Sequence, residues 1–191
     1  MTVGLLGGTF NPPHNGHVRL AEAARERFEL ERLLALVSVA PPHKQVDVDV
    51  EVRLRLANLA LPDAEIVRDA NPYSIHTVTG YGDDAIFLVG ADQFAKFLTW
   101  REPDEILEYV RLGVATRPGY PHEKLDYVLE RLRHPERVEL FDMEPVPISS
   151  SEIRAKAARG DPIDDLVPAP VADEIRRLGL YRSEPRYSVP A

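Results

Sequence analysis

Apolar residues recur along the chain with two alternating periods. Short continuous apolar runs at residues 3–6, 33–39, 64–67, 85–89, 112–116 and 138–141 predict six buried strands. Segments of helical period lie between them. Val18, Ala21, Ala24 and Phe28 fall on one helical face, and residues 103–110 and 125–133 read as helices. A further helix is expected from Gly90-Ala91-Asp92 to about residue 98. Helices at 150–159 and 171–178 close the chain, each followed by a glycine, Gly160 or Gly179, suited to a left-handed stop. Strands alternating with helices predict an α/β fold, a parallel sheet with helices on both faces. Ligands of such sheets lie beyond the carboxyl ends of the strands.

At 191 residues, 44% of them hydrophobic, the chain can bury a core of its own. Residues 1–182 are expected to form one domain. Residues 183–191 carry two prolines and no apolar period, and read as a disordered tail. Lysine and arginine number 23 against 31 acidic residues, a net charge of −8. That balance disfavours nucleic acid as a partner, so any anion site must gather its basic groups locally. The absence of cysteine excludes disulfides, thiolate catalysis and cysteine zinc sites. No apolar run approaches a membrane span, and no basic segment followed by a long apolar one opens the chain. The expected setting is the cytoplasm, with no membrane partner.

The first strand runs into Gly7-Gly8-Thr9-Phe10-Asn11-Pro12-Pro13-His14-Asn15-Gly16-His17. A glycine turn brings backbone N–H groups close to a phosphate. His14 and His17 lie three apart at a helix start, where partial positive charge collects, and can donate to the same phosphate oxygens. Two histidines beside a turn are otherwise a surface feature, and zinc lacks a third ligand nearby. A second segment, Ser149-Ser150-Ser151-Glu152-Ile153-Arg154, has capping-box spacing between Ser149 and Glu152. Beyond a plain cap, its hydroxyl-rich helix start and Arg154 suit a polyphosphate. Other candidates follow strands. Lys44 in Pro41-Pro42-His43-Lys44 is a phosphate contact or a solvated lysine. Asp92 binds ribose or caps a helix. Trp100, the single tryptophan, packs or stacks. Arg117-Pro118-Gly119-Tyr120 is a turn.

The pattern Gly-Gly-Thr-Phe-x-Pro-x-His-x-Gly-His resembles the first signature of the HxGH nucleotidylyltransferases, most of all the bacterial nicotinate-nucleotide adenylyltransferases. Residues 149–154 resemble their Ile-Ser-Ser-Thr-x-Ile-Arg segment, with Ser151 in place of threonine. The likeness runs from about Val3 to Tyr181, and its Gly-Leu-Tyr ending is taken as packing. It implies a Rossmann-like nucleotidylyltransferase fold with a small C-terminal helical part. It also implies transfer of AMP from ATP to nicotinate mononucleotide, giving nicotinate adenine dinucleotide and pyrophosphate in NAD biosynthesis. Mg²⁺ would accompany ATP without dedicated protein ligands.

By the same resemblance His14, His17 and Arg154 are catalytic. Gly7, Gly8, Thr9, Phe10, Gly90, Asp92, Arg117, Ser150 and Ser151 join them in binding ATP. Lys44, Tyr73, Ser74, Thr77 and Trp100 bind the mononucleotide. Around Tyr73 the order Asn71-Pro72-Tyr73-Ser74-Ile75-His76-Thr77 keeps the family's aromatic residue but departs from its Pro-Ser-Tyr-Thr order. Residues 46–52 alternate like a strand, whereas the resemblance implies a loop and then a helix over 54–61. The attacking phosphate has a second pKa near 6 and needs no general base. Phosphopantetheine and cytidylyl transferases share this machinery, and a non-catalytic nucleotide sensor would share the fold. Trp100 and the Gly-Leu-Tyr ending favour the nicotinate enzyme.

Overall fold

The computed structural model of the chain describes residues 1–41, 46–116, 119–144 and 146–182. Six strands form one sheet: β1 (Val3–Gly8), β2 (Arg32–Ser38), β3 (Glu65–Asp69), β4 (Ala85–Gly90), β5 (Arg111–Thr116) and β6 (Val138–Asp142). All pairings are parallel, in the order β3-β2-β1-β4-β5-β6. This is the doubly wound order, and the winding reverses between β1 and β4. Every expected strand is present, with ends shifted by at most two residues.

Side chains alternate across the sheet and divide the core in two. Leu6, Ala35, Ile86, Leu88 and Ala115 face α1 (Asn15–Phe28), α2 (Val50–Ala60), α7 (Ser150–Arg159) and α8 (Ala169–Leu178). Leu5, Leu34, Leu36, Phe87 and Val114 face α3 (Ser74–Val78), α4 (Ala91–Phe94), α5 (Pro103–Tyr109) and α6 (His122–Leu129). The predicted face of α1 is the packed one: Ala21 and Ala24 are buried, and Val18 and Phe28 lean on the same core. Gly160 and Gly179 end α7 and α8 in the left-handed conformation, at φ of 77° and 62°.

Three expected helices differ. The segment after β4 breaks: α4 stops at Phe94 and a 3₁₀ turn spans Phe97–Thr99. There the Thr99 hydroxyl donates to the Lys96 carbonyl (2.7 Å), a local bond that competes with helix continuation. The helix expected over 125–133 is α6, which starts earlier at His122 and ends at Leu129. The Asp104 carboxylate of α5 takes the Arg133 N–H (2.8 Å) out of any longer helix. Residues 46–49 form the implied loop, but α2 begins at Val50 rather than 54, because Asp49 caps it by accepting the Glu51 N–H (2.7 Å). The one-turn helix α3 went unread, being too short to show a period. The tail at 183–191 lies outside the described residues. No described helix is long and apolar enough to cross a membrane.

Candidate active site

A cleft of about 790 Å³ opens where β1 and β4 end, at the point where the winding reverses. Among its lining residues are Gly7, Gly8, Thr9, Phe10, His14 and His17 of the first motif, Gly90 and Asp92 after β4, and Ser150, Ser151 and Arg154 of the second. Tyr73, Ser74, Thr77 and Trp100 line its other wall. Lys44 and Arg117 lie outside the described residues.

The exit of β1 is tightly folded. Phe10 is buried at φ 49° with its ring under the backbone of Gly8, where a Cβ would stand 3.1 Å from it. The carbonyls of this loop are buried and need donors. Side chains from distant elements supply them. Arg53 Nη1 of α2 donates to the Thr9 carbonyl (3.0 Å), and Arg154 Nη1 of α7 to the Asn11 carbonyl (2.8 Å). Ser150 Oγ donates to the Pro12 carbonyl (2.8 Å), and Tyr181 Oη to Asn11 Oδ1 (2.8 Å). The two motifs, far apart in sequence, are thus one bonded unit. Tyr181, expected only to pack, also fastens the first motif.

His14 is the N-cap of α1 and His17 its third residue. The His14 N–H donates to His17 Nδ1 (3.2 Å), which leaves the proton of a neutral His17 ring on Nε2. The two rings lie 3.9 Å apart, with Phe10 5.0 Å beyond His17. Burial pulls the His14 pKa down to about 4, so the ring is neutral at pH 7. Its Nδ1 is buried and has no hydrogen-bond partner among the described residues. Gly16 makes room for it: a Cβ there would stand 2.9 Å from Nδ1. The second motif starts α7 as its spacing predicts, with Ser149 Oγ accepting the Glu152 N–H (3.2 Å). Arg154 Nη2 also reaches Ser151 Oγ (3.2 Å). The cleft therefore faces two helix starts, where the positive end of the helix dipole gathers, and this suits an anion. At α1 the Asn15 N–H is bonded to the Leu166 carbonyl (3.0 Å) and the His17 N–H to the His14 carbonyl (2.8 Å).

The opposite wall rests on Asp69 at the end of β3. Its carboxylate accepts from Thr77 Oγ1 (2.8 Å) and from both the backbone and side-chain nitrogens of Asn71 (3.0 Å each). The Thr77 hydroxyl proton is thereby committed to the wall, and its oxygen can still accept. Trp100 is half-buried, edge-on to Phe87 at 6.2 Å, and the Arg101 guanidinium lies 4.8 Å over the Tyr73 ring. Tyr120 Oη donates to Asp92 (3.2 Å), tying the turn after β5 to the helix start after β4.

Sequence reasoning missed Arg53, Asp69 and Arg101. An arginine in the apolar spacing Arg53, Leu56, Ala57, Ala60 was a readable signal for the first. The Asp69-x-Asn71 turn pattern was one for the second. Arg101 offered none.

The cytidylyltransferase-like family model matches residues 5–156. A relative from Moorella thermoacetica that carries the name nicotinate-nucleotide adenylyltransferase is 36% identical over 200 residues, covering 94% of this chain and 91% of its own. One of the same name from Bordetella petrii is 37% identical over 193 residues, covering 94% and 98%. Among solved structures, Plasmodium falciparum nicotinic acid mononucleotide adenylyltransferase complexed with NaAD superposes with a TM-score of 0.74. It covers 94% of this chain and 97% of that one at 14% identity, a likeness of fold.

Proposed function

Because the chain belongs to the cytidylyltransferase-like family, among its nicotinate-nucleotide adenylyltransferases, we propose that this cleft transfers AMP from ATP to nicotinate mononucleotide. The products are nicotinate adenine dinucleotide and pyrophosphate, and the step belongs to NAD biosynthesis. The observation that carries the reading is the junction of the two motifs, where Arg154 and Ser150 bond the carbonyls of Asn11 and Pro12. That junction turns two helix starts and two imidazoles toward one cleft, as a transfer between two polyanions requires.

The attacking oxygen belongs to a phosphate that is largely dianionic at neutral pH, so no base has to remove a proton. Catalysis comes from alignment and from stabilising charge on the α-phosphate and the leaving group. His17 Nε2–H and His14 donate to the α-phosphate oxygens. The start of α7, with Ser150, Ser151 and Arg154, holds the departing pyrophosphate. The loop of Gly7, Gly8, Thr9 and Phe10 presents its backbone to the triphosphate. Gly90, Asp92 and Arg117 take the adenosine side. Tyr73, Ser74, Trp100 and Lys44 take the mononucleotide. Thr77 acts through Asp69, holding that wall in place.

Nucleotidyltransferases of this kind generally use a divalent metal with ATP. Among the described residues no three His, Asp or Glu side chains gather as a cage. The cleft carboxylates are already engaged, Asp69 by Thr77 and Asn71 and Asp92 by Tyr120. This donor set fits Mg²⁺ carried in on the triphosphate, where it supplies charge neutralisation. A substrate of this kind suits a cytoplasmic setting.

The test is pyrophosphate release with ATP and Mg²⁺, run in parallel with nicotinate mononucleotide, nicotinamide mononucleotide and phosphopantetheine. Preference for the first is expected. Preference for either of the others would overturn the assignment of the acceptor, and binding of ATP without release from any acceptor would overturn the reaction.

A further inference from the structure

Arg53 is only 2% exposed, yet it belongs to no ion pair among the described residues. Each of its three nitrogens donates to a backbone carbonyl. Nε donates to Val48 (3.1 Å), Nη2 to Val39 (3.0 Å), and Nη1 to both Ser38 (2.6 Å) and Thr9 (3.0 Å). A buried guanidinium remains charged, and burial is costly unless every donor is met. The contacts are also specific in where they lead. Thr9 is in the loop that leaves β1, on the triphosphate side of the cleft. Ser38 ends β2, and the Val39 N–H next to it donates to the Asp69 carbonyl (2.8 Å). Asp69 in turn holds Thr77 and Asn71 on the mononucleotide side. One nitrogen, Nη1, therefore ties the loop after β1 to the end of β2, just beyond the last β1–β2 ladder pair, Gly8 with Val37. Strand β2 carries the opposite wall through its pairing of Ser38 with Asp69.

We propose that Arg53 is a positioning residue that sets the separation of the triphosphate loop from the mononucleotide wall. The inference rests on the adenylyl-transfer reading. Each wall can bind its own substrate without the bridge, but in-line transfer needs the attacking oxygen within about 3–3.5 Å of phosphorus, where a displacement of about 1 Å costs on the order of 100-fold. A plain structural plug would behave differently, since stability and activity would then fall together.

The experiment compares full-length Arg53→Lys and Arg53→Met with the wild type. Lysine can put its ammonium at the Nη1 position between Thr9 and Ser38 while abandoning Val39 and Val48, whereas methionine offers no donor. Both variants are expected to melt lower by similar amounts. Below both melting temperatures, Arg53→Lys should keep kcat within about fivefold of wild type. Arg53→Met should lose about 100-fold in kcat with the KM for each substrate changed less than about threefold. Affinity for the dinucleotide product, which spans both walls, should fall in Arg53→Met well beyond that for ATP alone. If Arg53→Met does not fold, Arg53→Gln takes its place, with at least a tenfold loss in kcat expected. Equal losses in the lysine and methionine (or glutamine) variants, or near-wild-type kcat without the bridge, would overturn the inference. Wild-type protein that releases no pyrophosphate would instead overturn the reading beneath it.

Discussion

Gly16→Ala should separate activity from stability. Gly16 is the second residue of α1 and has ordinary helical backbone, so alanine fits the main chain there. In a helix interior that exchange gains about 0.5–1 kcal/mol, and near a terminus less. The side chain is the difficulty. Its Cβ would stand 2.9 Å from His14 Nδ1 and 3.0 Å from Cε1, where ordinary contact begins near 3.4 Å. The imidazole has to retreat by about 0.5 Å, and among the described residues no hydrogen bond at Nδ1 holds it back. The His17 ring is 3.9 Å away and rests against Phe10, so the displacement passes to both proposed phosphate donors.

With about 100-fold lost per ångström of misplacement, a shift of this size predicts a fall in kcat of about tenfold or somewhat more. The melting temperature should stay level or rise by up to about 3 °C. Pyrophosphate release at saturating ATP and a thermal melt measure the two effects on one preparation. Gly82→Ala is the control, because a Cβ there meets nothing within 4 Å. A Gly16→Ala protein with full kcat would show that His14 does not need its place, and would refute the donor role given to it.

The remaining expectations concern the groups around that loop. His17→Ala should lower kcat by about 100-fold, the usual cost of a charge-stabilising donor; a folded variant within threefold of wild type would remove it from the reaction. Tyr181→Phe leaves the buried Asn11 Oδ1 without its 2.8 Å donor, which should cost about 1–3 kcal/mol in urea unfolding; an unchanged midpoint would mean that water replaces the hydroxyl. His14 links stability to pH. Its folded pKa of about 4 lies below the unfolded 6.5, so the unfolded chain takes up a proton that the folded one refuses. The stability it contributes is complete above pH 6.5 and erodes as pH falls toward 4, by at most about 3 kcal/mol. Urea midpoints between pH 7 and 5 should fall less steeply in His14→Gln, and parallel profiles would contradict the burial of the neutral ring.

What could be read from the chain follows how far apart the interacting groups lie in it. The six strands were legible because buried parallel strands are continuous apolar runs, and the first motif was legible because turn, cap and imidazoles lie within eleven residues. The second motif was legible as a cap for the same reason. That its arginine and serine bond Asn11 and Pro12 was not, because the acceptors are backbone carbonyls, which leave no mark in a sequence. Arg53 was missed as a site residue for the same cause, and Tyr181 because its partner, the Asn11 side chain, lies 170 residues away. The helix after β4 was misread because its period continues past Phe94 to Phe97, both fully buried, while the backbone turns between them and goes on as 3₁₀ over Phe97–Thr99.

The charge distribution of the cleft explains how a chain of net charge −8 can host two polyanions. Arg154 is the one lysine or arginine among the described lining residues, beside two carboxylates, Asp69 and Asp92. Both carboxylates accept hydrogen bonds from the protein, which disperses their charge away from the open space. Positive potential arises from the starts of α1 and α7, and from the Arg53 guanidinium behind Thr9, which no carboxylate among the described residues contacts, Asp49 acting on it only from a distance. None of these sources depends on a histidine being charged. His14 can therefore stay neutral until phosphate charge approaches it. Approaching phosphate charge would raise the ring's pKa again and strengthen it as a donor while the transition state gains charge.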